Sequence, residues 1–79
     1  MRLDKYLKIS RLIKRRTVAN EACDGGRVTV NGTVAKASRE IKPGDRIEIR
    51  FGANRTCVEV VSVAENVSKS DAPAMYREV

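Results

Sequence analysis

The stretch Val28-Thr29-Val30-Asn31-Gly32-Thr33-Val34 constrains this chain more than any other. Asn-Gly supplies the two positive-φ residues that a type I′ turn needs, and Val28 and Val30 alternate with Thr29 on the arm leading in. A β-hairpin turning at residues 31–32 is predicted, and the segments on either side must be compatible with it.

What precedes the hairpin reads as helix. At 100° per residue, Leu3, Tyr6 and Leu7 fall within one arc of residues 2–10, while Lys5 and Lys8 point the other way and Ile9 fits neither side. A second helical pattern runs from Arg15 to Cys23 with Val18, Ala19, Ala22 and Cys23 as its stripe, and Gly25-Gly26 marks its end. After the hairpin comes a loop, Ala37–Asp45, with a tight turn at Pro43-Gly44. Ile47, Ile49 and Phe51 then alternate inward with charged residues outward, a turn follows at Gly52–Asn54, and Thr56–Val63 returns as a further strand. Residues 65–73 are polar and read as loose, and Ala72–Val79 is expected to form a helical turn docking Met75 and Tyr76. The predicted fold class is α+β: two N-terminal helices packed on a small, mostly antiparallel sheet, with an added C-terminal hairpin and a short tail. One domain is expected over residues 1–64, with residues 65–79 as its tail.

Charge is distributed unevenly over this plan. Up to Arg16, Arg2, Lys5, Lys8, Arg11, Lys14, Arg15 and Arg16 stand against Asp4 alone, which accounts for the whole net charge of +6. The remaining chain carries nine cations and nine anions. Ordinary surfaces mix signs, so this segregation points to a polyanionic partner, nucleic acid first and a membrane surface second. The membrane signature, a long amphipathic helix with bulky apolar residues opposite a basic side, is only half present. No apolar run approaches membrane-spanning length, and the charged N-terminus does not resemble a signal peptide; a soluble intracellular protein is expected.

Catalysis finds few tools here. There is no histidine, and Cys23 and Cys57 have no second cysteine pair with which to build a zinc site. Both cysteines read as small buried apolar residues. Glu40, Asp45, Glu48 and Glu59 interleave with Lys42, Arg46 and Arg50 and read as solvated surface. No cofactor, metal or catalytic residue is expected. Tyr6 falls beside Leu3 and Leu7 and reads as a core residue with its hydroxyl at the rim. Asp4, the single anion in the basic cluster, has three candidate roles: accepting a sugar hydroxyl, holding a neighbouring arginine, or stabilising the helix N-terminus. Arg15 and Arg16 open the second helix, where the backbone dipole prefers anions. Arg16 is expected to grip a phosphate there, together with free helix N–H groups.

The order of parts resembles a known family. RLDKYLKISRLIKRR, then A-x-x-x-C-x-x-GRVTVNG, then VAKASREIKPGD and an alternating strand is similar to the S4 RNA-binding domain, named after ribosomal small-subunit protein four. The resemblance covers roughly residues 2–51. It implies an RNA-binding surface at Arg2, Asp4 and Lys5, continuing through Arg11, Lys14, Arg15 and Arg16 to Lys36, Ser38 and Arg39. The loop positions rest on the resemblance alone, since charge counting does not single them out. Too few residues follow Phe51 for a catalytic domain of the kind often attached to this module. RLDKYLKISRLIKRRTVAN with the tail DAPAMYREV is closer to a narrower group of free-standing members, heat-shock proteins among them. That likeness implies a non-enzymatic, monomeric factor in bacterial ribosome-associated quality control. Its partners would be large-subunit ribosomal RNA, peptidyl-tRNA and a tRNA-recruiting factor that adds alanine tails. The alternative is an RNA-binding subunit or remnant of an RNA-modifying enzyme such as a pseudouridine synthase.

Overall fold

A computed structural model describes residues 1–79. Helices α1 (Leu3–Ile9) and α2 (Arg16–Asp24) precede strands β1 (Val28–Val30), β2 (Thr33–Val34), β3 (Arg46–Phe51) and β4 (Asn54–Val60); a short 3-10 helix (Ala72–Met75) then leads into β5 (Tyr76–Glu78). All pairings are antiparallel, and the strand order is β2-β1-β3-β4-β5. The class expected from the sequence, two helices on an antiparallel sheet, is the one observed.

The Asn-Gly hairpin forms as predicted, with Asn31 at φ 53° and Gly32 at φ 85°. Asn31 does more than turn the chain. Its side-chain oxygen accepts from the Arg46 N–H (3.0 Å), and its amide donates to Asp45 (3.1 Å). Asp45 also accepts from the Lys42 N–H (3.1 Å) and is buried. The reading of Asp45 as solvated surface is therefore corrected: it ties the turn around Pro43-Gly44 to the hairpin.

One sheet face is covered. Leu3, Tyr6 and Leu7 of α1 and Ala19, Ala22 and Cys23 of α2 share a cluster with Val28, Val30, Ile47, Ile49, Val58 and Val60. Small residues on α2 suit close packing, and each fully buried aliphatic side chain contributes about 1.5–3 kcal/mol. Burial pushes the Cys23 thiol up to about 11, with the charges of Asp4 and Asp24 adding to the effect, so it stays protonated. Three expected core residues are displaced. Val18 is exposed on the outer side of α2. Phe51 is 40% exposed because β1 begins at Val28, opposite Ile49, and the β3–β4 hairpin outruns that core layer. Cys57 is only half-buried, since its β4 parity turns it to the uncovered sheet face, beside Glu48.

The C-terminal residues are more ordered than the sequence implied. Met75 docks in the core as expected, and Tyr76–Glu78 continues as a fifth strand on β4. Tyr6 is fully buried and donates its hydroxyl to the Met75 carbonyl at 2.7 Å, so that hydroxyl lies inside rather than at the rim. The same carbonyl accepts from the Val61 (2.8 Å) and Ser62 (3.1 Å) N–H groups.

Candidate nucleic-acid interface

The candidate interface is built around Asp4. This carboxylate sits in the first turn of α1, is 2% exposed, and collects donors from both helices. Arg2 Nε (3.2 Å) and the Lys5 N–H (2.8 Å) approach Oδ1; Asn20 Nδ2 (3.3 Å) and Arg16 Nε (3.5 Å) approach Oδ2. Burial alone would raise the pKa of this acid. The Asn20 amide, the Lys5 N–H and the Arg16 and Arg2 charges outweigh burial and hold it below its ordinary value. Asp4 is thus ionised and positions two guanidinium groups. Of the roles open from the sequence, two are observed: Asp4 holds neighbouring arginines, and it accepts a backbone N–H at the start of α1.

Arg16 reaches Asp4 through Nε alone, while Arg2 also places one terminal nitrogen, Nη2, 3.4 Å from Oδ2. Both side chains are 49% exposed. They border an open groove of about 450 Å³, with Thr17, Asn20 and Glu21 along its wall. Helix geometry explains the wall, because Arg16 and Asn20 stand four residues apart on one face of α2. Thr17 and Asn20 were not among the sequence candidates. Their spacing from Arg16 was the signal available.

Helix α2 starts without a side-chain cap and has no acid in its first turn. Lys14 and Arg15 flank that start, exposed and without an ion pair. The connection carrying them is pinned by Ile13, which is buried and whose N–H reaches the Leu7 carbonyl at 3.1 Å. Leu12 packs half-buried beside it. Arg11 takes the left-handed position just past α1, at φ 64°, a conformation that costs a non-glycine residue roughly 1–2 kcal/mol.

The loop after the first hairpin reaches the same corner. Its backbone pairs with the start of α1 through the Leu3 N–H to the Arg39 carbonyl (2.8 Å) and the Asp4 N–H to the Ala37 carbonyl (3.2 Å). Asp24, at the end of α2, accepts from the Ala37 N–H (3.1 Å). Lys36, Ser38 and Arg39 are exposed on this strap.

Two candidates stand apart from the Asp4 cluster. Lys5 pairs with Glu65 at 3.0 Å, and that bond together with the Lys5 charge holds the Glu65 carboxyl low. Arg11 lines a separate concavity of about 380 Å³ with Lys8, Ile9 and residues 65–67. Lys8 is a further exposed cation missing from the sequence candidates, although charge counting had included it.

Two short helices over an antiparallel sheet, joined by a cationic connection and organised on one buried carboxylate, define a small RNA-binding module of the S4 type. Residues 1–47 match the S4 domain. The chain is 57% identical over 76 residues to the RQC P-site tRNA stabilizing factor of Halalkalibacterium halodurans, covering 96% of this chain and 86% of that one. The protein of that name from Streptococcus pneumoniae is 54% identical over the same shares. Heat Shock Protein 15 of Vibrio cholerae, solved as a trimer, superposes with a TM-score of 0.91 at 31% identity, over all of this chain and 81% of that one. The chain belongs to the S4 domain family and, within it, to the group of RQC P-site tRNA stabilizing factors.

Proposed function

We propose that this protein is a non-enzymatic RNA-binding factor of bacterial ribosome-associated quality control. It holds peptidyl-tRNA against large-subunit ribosomal RNA on obstructed subunits, as a cytoplasmic, ribosome-associated monomer, while a tRNA-recruiting factor adds alanine residues to the stalled chain. The observation that carries this reading is the α1–α2 corner. There Asp4 orients Arg2 and Arg16, while Lys14, Arg15, Lys36 and Arg39 remain exposed without carboxylate partners. Free guanidinium forks beside uncapped helix N–H groups suit phosphate oxygens. The names of the relatives supply the tRNA and its place on the ribosome. No helix is long and apolar enough to cross a membrane.

Cosedimentation tests the proposal. The protein should travel with large subunits carrying peptidyl-tRNA and be released as salt rises. About five phosphate contacts give a log–log slope of roughly −4 to −5 for RNA affinity. A slope near zero, or equal recovery with empty and obstructed subunits, would sink it.

A further inference from the structure

The uncovered face of the sheet repeats the construction of the helical corner. Arg50 stands directly opposite Arg55 in the β3–β4 register. The β1–β3 register, Val28 opposite Ile49, brings Arg27 level with Arg50, and the Arg50 N–H bonds the Arg27 carbonyl at 2.9 Å. Three arginines therefore lie in one row, Arg27 just ahead of β1, Arg50 on β3 and Arg55 on β4, about 10 Å from end to end. Inward Val28 and Ile49 set the parity that turns Arg27 and Arg50 away from the helices.

Like charges placed directly opposite one another across strands are destabilising. A single carboxylate offsets this row. Glu48 holds Arg50 Nε at 2.6 Å and lies 4.0 Å from Arg55, while Arg27 has no ion pair. The arginines at its sides are 64% and 63% exposed, and Glu48 is 23% exposed. As at Asp4, one acid stands between two guanidiniums, here through Arg50 Nε and Arg55 Nη1, and both arginines keep most of their surface in solvent. Along the same face, Arg46 and Arg77 flank Glu59 in register, so cations again outnumber acids.

We infer that the Arg27–Arg50–Arg55 row is a second phosphate-binding site, which takes the backbone of an RNA strand other than the one held at the α1–α2 corner. The protein then joins two RNA segments through opposite faces. This inference rests on the RNA-binding reading above and adds to it a second, separable contact. Exposed arginines in a planar row match the repeated phosphates of a nucleic-acid strand, and a row with so little internal compensation gains from an arriving polyanion.

The test uses the full chain and two RNA hairpins of mixed sequence carrying different fluorophores. Wild type should bring both into one complex and show energy transfer between them. The triple variant R27Q/R50Q/R55Q should melt at or above the wild-type temperature, because repulsion is relieved. It should still bind one hairpin, lose energy transfer, and show a salt slope shallower by about 2 to 3. Arg16→Ala should weaken the other contact and leave the row's share of the slope in place. A wild-type complex holding a single hairpin, or a triple variant with an unchanged slope, overturns the inference while leaving the corner intact. Selective competition at the row by polyglutamate rather than by RNA also overturns it and marks an acidic protein partner. Failure of wild type to bind either hairpin removes the underlying RNA-binding reading as well.

Discussion

Asp4 and Glu48 each hold two arginines, one on the helical side of the molecule and one on the sheet side, and they differ in depth. Asp4 is 2% exposed, with donors from Arg2, Lys5, Arg16 and Asn20 around it; Glu48 is 23% exposed and its arginine partners face water. A buried carboxylate cannot lose its partners cheaply, because its desolvation must be offset by those bonds. An exposed one can be removed at little cost, since surface pairs contribute about 0–1 kcal/mol. The same arrangement of side chains thus fixes the tertiary contact between α1 and α2 in one place and merely orients surface charge in the other.

The largest effect expected from that difference comes from Asp4→Asn. It should lower stability by about 2–4 kcal/mol, since two arginines lose their shared anion and Asn20 its charged acceptor. Denaturant melts should show it, together with weaker RNA binding. The acid side adds a check of sign. The Asp4 pKa is lower folded than unfolded, so its contribution is complete above the ordinary carboxylate value of 3.8 and disappears as pH falls through the lower folded value. Wild type should lose stability over that acid range more steeply than Asp4→Asn; parallel curves would show that Asp4 is not the linked group.

Arg16→Ala comes next. It should weaken RNA affinity by about 1.5–3 kcal/mol and stability by roughly 1 kcal/mol. From the sequence, Arg16 opposes the helix dipole and its loss should be neutral or stabilising. Its bond to Asp4 reverses that sign, and a raised melting temperature would refute the clamp. Smaller still is Arg11→Gly. Glycine accepts the left-handed φ, so stability should hold or rise by up to about 1 kcal/mol while RNA binding weakens. A destabilised Arg11→Gly would show that the charge, not the backbone, is what the fold needs there. Glu48→Gln should fall within about 0.5 kcal/mol of wild type. A cost like that of Asp4→Asn would erase the contrast between the two carboxylates.

Local signals were the legible ones. The Asn31-Gly32 turn, the Leu3-Tyr6-Leu7 arc and the cationic connection all follow from spacing within a few residues. Features set by long-range register were not. Asp45 is buried because Asn31, 14 positions earlier, turns its amide toward it. Phe51 is exposed because β1 ends the core layer short of it. The fifth strand depends on Val60 meeting Tyr76, which no periodicity in the polar segment between them announces. At the site, charge counting found the cations but could not see that Lys5 is taken by Glu65. The row formed by Arg27, Arg50 and Arg55 was hidden because its three arginines sit in stretches where the charges cancel along the chain.

The bond from the Tyr6 hydroxyl to the Met75 carbonyl spans 69 positions. Residues that meet across such a separation cannot meet during synthesis until the later one has been made and has left the exit tunnel. At roughly 5–20 residues per second, the first helix of this chain waits several seconds for its last partner. During that time Tyr6 and the apolar arc beside it have no fifth strand to close over them, and loop-closure entropy must be met before the contact forms. A nascent chain arrested before residue 75 therefore carries an N-terminal half that is translated in full yet has an open seam along its core.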